Sequence, residues 1–355
     1  MADLDITTLD TWMLREPTSR RGYCVLRLKT KSGLAGFGEC GEVSVAEIEA
    51  AKRVVTGRAA TSYEAVRIQL SGAPRAQAGI NMATLDLVGK FTKAPVYHVL
   101  GGPTRHRVRA LASLDGAADE DLVASLKARH SAGFRAFAVP LPPVSARNQG
   151  QAFAEAVSRR FDKLRAVAGD ADFVLSGAIS LTPGDAGRLA AAIERLHLQW
   201  FDEPCPLSNL SAVRKITDES ATPLGFGRHI EQSGEVQDAL REEVVDILRP
   251  DLARHGISQI RRMAALAETY YVAVAPHHEG GPIGTVAALH LAASLPNFFM
   301  QHIPIPSAEA DRRMRAELTG GSVETVKDGF VALPTGPGLG IAVDEKALDK
   351  YKERA

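Results

Sequence analysis

The chain has 355 residues, 45% of them hydrophobic, and 42 basic residues balance 42 acidic ones, so the formal net charge is zero. Such a length exceeds one small domain and suits a (β/α)8 barrel with a smaller companion. The balance offers no clustered basic face for nucleic acid or an anionic membrane, and no window approaches the ~20 apolar residues of a membrane span. The acidic N-terminus lacks the basic-then-apolar signature of a signal peptide. Three cysteines, Cys24, Cys40 and Cys205, are odd in number and far apart in sequence. They read as buried thiols in a reducing cytoplasm rather than a disulfide framework.

Residues 23–29 alternate like a strand, Lys31-Ser32-Gly33 is a turn, and residues 34–39 resume the strand, which predicts an antiparallel hairpin. Helical spacing follows at Val45–Val55 and across residues 76–92, where Ile80, Ala83 and Leu87 share a face. The first part of the chain, residues 1–104, therefore reads as an α+β module.

From about residue 107 short apolar runs recur, at 108–114, 136–139, 173–175, 198–201, 224–226, 245–248, 272–275 and 298–300. Amphipathic segments separate most of them. Strands alternating with helices predict a parallel sheet, and eight runs favour a closed barrel over residues 105–320. No Gly-x-Gly-x-x-Gly lies between a strand and a helix, so a dinucleotide fold has no support. The last segment, 321–355, carries Asp328-Gly329 through Pro334 and the turn Gly336 to Gly340. It reads as one more strand that packs back on the first module.

Several motifs resemble the mandelate racemase/muconate lactonizing branch of the enolase superfamily. They are Gly79 through Lys90 with Leu100-Gly101-Gly102, Trp200-Phe201-Asp202-Glu203-Pro204, Arg249-Pro250-Asp251, Ala275-Pro276-His277 and Pro337-Gly338-Leu339-Gly340. The run from Ala275 to Gly284 is closest to the acid-sugar, galactonate dehydratase-like members. The resemblance implies a (β/α)8-type barrel, TIM-like, with an α+β capping domain built from the N-terminus and the C-terminal return. It also implies removal of a proton α to a carboxylate, a small-molecule acid-sugar partner, and assembly into homo-oligomers.

In that family three strand ends each give a carboxylate to magnesium. The matching positions here are Ser176, Asp202 and Arg228. Only Asp202 is an acid; a serine is a poor ligand for a hard cation and an arginine has no lone pair to offer. The expectation is no cofactor, with magnesium disfavoured, and with Arg228 pairing Asp202 or binding a substrate carboxylate. Glu203 is expected to point to the other face. The family's lysine pair on the second strand is replaced by Ala138 and Pro140, and Ser176-Gly177-Ala178 lacks its acid/base histidine. Asp251 and His277 lie one βα unit apart, which predicts a carboxylate–imidazole dyad with His277 as general base. His302 and Arg20 are further candidates for substrate binding, Arg20 from the loop that closes over the site. His229, His278 and His302 are a candidate transition-metal set. Three readings stay open: a metal-free lyase or racemase, a non-catalytic relative that binds a sugar acid or acts structurally, and a magnesium dehydratase with unusual ligands.

Overall fold

The computed structural model describes residues 4–144 and 147–353. The first module starts with a three-stranded antiparallel sheet, β1 (Ile6–Arg15), β2 (Gly22–Thr30) and β3 (Ala35–Cys40). Helices α1 (Val45–Val55), α2 (Tyr63–Gln69), α3 (Pro74–Phe91) and α4 (Val96–Val99) follow. A Ser44/Glu47 capping box starts α1, satisfying backbone N–H groups that a helix end leaves free. Helix α3 lies on the sheet because Gly38 lets the backbones meet: a Cβ there would sit 2.0 Å from the Gly79 carbonyl oxygen. Cys24 and Cys40, distant in sequence, are register partners across β2 and β3, and all three cysteines are buried free thiols.

The barrel strands are β4 (Arg107–Ser113), β5 (Ala136–Pro140), β6 (Asp172–Ser176), β7 (Phe201–Asp202), β8 (Leu224–Phe226), β9 (Ile247–Leu248), β10 (Ala273–Val274) and β11 (Gln301–His302). They pair in parallel in chain order. A Val274–Phe298 bridge and the β11–β4 pairing close the ring. The connecting helices are α5 (Asp119–Ser131), α6 (Gln151–Arg165), α7 (Pro183–Ile193), α8 (Leu210–Glu219), α9 (Ser233–Arg241), α10 (Leu252–Glu268), α11 (Pro282–Ser294) and α12 (Glu309–Leu318). The protein is thus an α/β barrel carrying an antiparallel cap. Among the described residues no helix is long and apolar enough to cross a membrane.

The C-terminal segment departs from expectation. Strands β12 (Val326–Lys327) and β13 (Phe330–Ala332) form a hairpin, and β13 pairs antiparallel with barrel strand β4 rather than with the cap. Strand β4 has a free edge at Arg107–Arg109, below its pairing with β11, and unpaired backbone groups there need partners. Only from Gly338 does the chain reach the cap. Asp86 of α3 accepts the Leu339 and Phe37 N–H groups at 2.8 Å and the Lys90 ammonium at 2.7 Å. The final helix α13 (Glu345–Tyr351) takes the Trp12 indole N–H on Asp349.

Two joints seat the cap on the barrel mouth. At the first, α10 breaks at Gly256, whose φ of 66° suits glycine, and Asn81 of α3 bonds the Ser258 N–H and hydroxyl. At the second, Glu39 of β3 accepts the Gly281 and Gly284 N–H groups at the start of α11. Beside it, Arg315 pairs with Glu16 and Glu324, all three side chains being buried.

This second joint should make stability depend on pH. Burial pushes the Glu39 carboxyl up to about 7, against the opposing pull of the Gly284 and Gly281 N–H groups and of Arg315. A carboxyl raised in this way keeps a proton that the unfolded chain has released. Its stabilising contribution is complete below the unfolded value and is lost as pH rises through about 7. Calorimetric melting temperatures are expected to fall between about pH 4.5 and pH 7, with a flatter fall in Glu39→Gln. An unchanged slope in that variant would remove Glu39 from the account.

Candidate active site

Leu111, Ala136, Val174, Trp200, Ile247, Ala275 and Met300 form the layer inside the barrel. Side chains on a strand alternate, so the residue two positions farther along also faces inward, at the C-terminal mouth. That rule picks out Ser113, Ala138, Ser176, Asp202, Arg249, His277 and His302. The mouth is therefore lined by one acid, one arginine and two histidines from four different strand ends.

Asp202 is the centre of this layer and is 2% exposed. Its Oδ1 accepts the Trp200 indole N–H at 2.9 Å and the Arg249 Nε–H at 2.8 Å. Its Oδ2 faces Arg249 Nη2 and Arg228 Nη1, each at 3.4 Å. Burial alone would raise this carboxyl; Arg249 and Arg228 overcome it and hold Asp202 below the usual carboxylate range. The close partner of Asp202 is thus Arg249, which the sequence reading did not single out. Arg249 also donates to the Ala275 carbonyl at 3.0 Å and stacks 5.1 Å from the Trp200 ring centroid. Its position two residues beyond Ile247, at a strand end, was the signal available.

Arg228 is held more loosely. Its Nη2 lies 3.7 Å from Glu279 and its buried Nε has no partner. Ser176 is half-buried and is the register partner of Asp202 on β6. Glu203 turns away through a φ of 45°, and one of its oxygens accepts the Gly227 and Arg228 N–H groups at 2.8 and 2.7 Å. Burial, and then the Asp202 charge, push its carboxyl up to about 7.

The expected imidazole–carboxylate hydrogen bond is not formed. Asp251 and His277 are neighbours through a backbone bridge, but the Asp251 carboxylate accepts the Ala253 N–H at 2.7 Å as the N-cap of α10. His277 Nδ1 is buried with no partner, and Nε2 faces the Glu279 carboxylate at 3.7 Å. That facing imidazole, with Arg228, holds the Glu279 carboxyl well below its usual range. The His277 ring stacks on His302 with centroids 5.5 Å apart and planes 8° from parallel.

His302 has a defined tautomer. Nδ1 lies 2.6 Å from the His278 carbonyl, which can only accept, so Nδ1 carries the hydrogen. Nε2, 2.9 Å from the Ser113 hydroxyl, then accepts. Burial holds the ring neutral, with its pKa down at about 3. The candidate trio His229, His278 and His302 does not converge. His278 turns under α11 to the Gly281 carbonyl, and His229 is exposed on the rim. The group that does converge is His277, Glu279 and His302, whose ligand atoms lie within 4.8 Å of one another.

Arg20 is exposed. Its loop is pinned to α12, where Asp311 accepts the Thr18 and Ser19 N–H groups at 2.7 and 2.8 Å. The neighbouring Arg21 reaches the Pro304 carbonyl. The cap instead contributes Gly41, Glu42 and Arg75 to a cavity of about 380 Å³, shared with Arg228, His229, Asp251, Arg254, His277 and Glu279. A larger cavity, about 570 Å³, lies among the outer helices at Phe153 and Leu189, and its Asp185 is consumed by the Asn148 and Gln149 N–H groups and Arg188.

Residues 121–347 match the family described as Enolase C-terminal domain-like. Residues 6–101 match the N-terminal domain of Mandelate racemase / muconate lactonizing enzyme. The chain belongs to the mandelate racemase/muconate lactonizing branch of the enolase superfamily. This enolase-superfamily chain is 27% identical to the D-xylonate dehydratase of Haloferax volcanii, over 98% of its own length and 89% of that protein's. It is 27% identical to the D-galactonate dehydratase of Ralstonia nicotianae, over 96% and 93%. A mandelate racemase/muconate lactonizing enzyme from Sulfitobacter superposes with a TM-score of 0.88 at 25% identity, covering 99% of this chain and 96% of that one. One from Roseovarius gives 0.87 at 27%, with the same coverage. The protein is therefore an acid-sugar dehydratase-like member of its superfamily.

Proposed function

We propose that this protein removes the proton α to the carboxylate of a small hydroxy acid of the acid-sugar class, without magnesium. His277 acts as the base and Arg228 binds the carboxylate. The observation that carries this reading is that His277 and the loosely held Arg228 line one cavity under the cap. The identities of the dehydratase relatives support the substrate class.

Magnesium requires a near-octahedral shell of oxygens. The three family positions offer one hydroxyl, one carboxylate whose oxygens both face arginines, and an arginine. That donor set does not fit the ion. The chemistry follows from the residues present. As the proton passes to a ring nitrogen of His277, negative charge develops on the substrate carboxylate as an ene-diolate. The Arg228 guanidinium fork is suited to hold that charge in a buried site. Departure of the β-hydroxyl as water, with the proton carried by His277, gives an enol that tautomerises to the keto acid; return of the proton to the α-carbon instead gives exchange with solvent.

A second reading, binding without turnover, is favoured by one observation: Asp251 caps α10 and leaves the His277 ring without its orienting carboxylate. Proton exchange separates the two. The protein is incubated in deuterated water with a pool of acid sugars and hydroxy acids, with magnesium or with EDTA, and α-proton loss is followed by NMR. Exchange that persists in EDTA is the expected result. Exchange only with magnesium sinks the metal-free reading. Binding of a pool member without any exchange supports the second.

A further inference from the structure

We infer that His277, Glu279 and His302 form a site for one transition-metal dication of the zinc class, distinct from the three positions at which the superfamily holds magnesium. Two imidazoles and one carboxylate are the donors that such ions select, whereas magnesium demands oxygen. Their ligand atoms lie within 4.8 Å of one another. Nitrogen ligands about 2.0–2.1 Å from a tetrahedral ion are about 3.3 Å apart, so closure needs movements of about 1.5 Å. Glu279, whose side chain is 54% exposed, is free to supply its own part of that movement.

At His302 the surroundings already have the form that holds a metal ligand. A ligating histidine donates its other ring N–H to a backbone carbonyl or carboxylate, which directs the lone pair at the ion. His302 does so through Nδ1 to the His278 carbonyl at 2.6 Å. Its Nε2 lone pair is met only by the Ser113 hydroxyl, a rotor that can turn away. The two carboxylate oxygens of Glu279 are divided, Oε1 toward Arg228 at 3.7 Å and Oε2 toward His277 Nε2 at 3.7 Å. The ion can take Oε2 while Arg228 keeps Oε1. The remaining coordination position opens on the cavity, since His277 and Glu279 both line it. A metal there occupies the lone pair of His277, so metal occupancy and proton transfer by His277 exclude each other.

The test uses the full chain, stripped with EDTA and dialysed, and reads binding rather than activity. Isothermal titration with zinc is expected to show one ion per chain. Cobalt titration is expected to give the intense visible bands of a low-coordinate site, and magnesium no heat. Glu279→Gln and His302→Gln should each weaken zinc binding at least tenfold. Ser113→Ala frees Nε2 and should tighten it or leave it unchanged. Because Glu279 is exposed, its variant folds and keeps the test decisive even if the His302 variant does not. Zinc binding that is absent, or that survives both Glu279→Gln and a folded His302→Gln, overturns the proposal.

Discussion

Replacing Arg249 with methionine is expected to destabilise the protein by about 3–5 kcal/mol, the usual cost of leaving one partner of a buried ion pair alone. Arg249 and Asp202 side chains are each 3% exposed and meet at 2.8 Å. Methionine fills a similar volume, so little of the loss comes from a cavity. Arg228, at 3.4 Å, is the nearest remaining cation and offsets a part. The midpoint of guanidinium unfolding at constant slope reads the effect. Adding Asp202→Asn to the same variant removes the orphaned charge while keeping an acceptor for the Trp200 N–H, and should recover most of the loss. A single-variant loss below about 1 kcal/mol, the range of exposed pairs, would show that Arg249 is not the cation that balances Asp202.

His277→Asn is expected to lower α-proton exchange by about 10²–10⁴, the contribution of a positioned general base. Binding of the same acid should hardly change, because in the proposed function Arg228, not His277, holds the carboxylate, and the two only share the cavity. Asp251→Asn is the control that distinguishes this geometry from a paired dyad. Asparagine is as good an N-cap as aspartate, so the variant should fold and keep nearly full exchange. If Asp251→Asn loses as much as His277→Asn, the carboxylate orients the imidazole during turnover, and the capping arrangement is not the working one. If His277→Asn exchanges at the original rate, another group takes the proton.

The parity of the barrel strands explains how much of the site was legible. Asp202 and His277 stood out because Trp-Phe-Asp-Glu-Pro and Ala-Pro-His are distinctive strings, and their strand positions place both at the mouth. Arg249 sits at an equivalent position, two residues past an inward-facing Ile247, but in Arg-Pro-Asp the residue type alone does not distinguish it from an ordinary surface arginine. Glu203 was expected to face away, and its left-handed backbone carries it under the Gly227–Arg228 turn. The dyad failed because a spacing places two residues side by side without fixing what each side chain bonds. The nearest unsatisfied donor to Asp251 is a helix N-terminus.

The order of elements, the barrel and the cap, and the absence of an acid at positions 176 and 228, were legible in the sequence alone, because periodicity and residue type are local properties. Contacts between distant segments were decided only by the tertiary structure. Examples are the fork of Arg249 on Asp202, the His277–Glu279–His302 cluster and the pairing of β13 with the barrel rather than the cap. The physical reason is common to all three. Each depends on which buried or unpaired polar group lies within hydrogen-bonding reach after the ring has closed, and closure brings together strand ends that the sequence keeps apart.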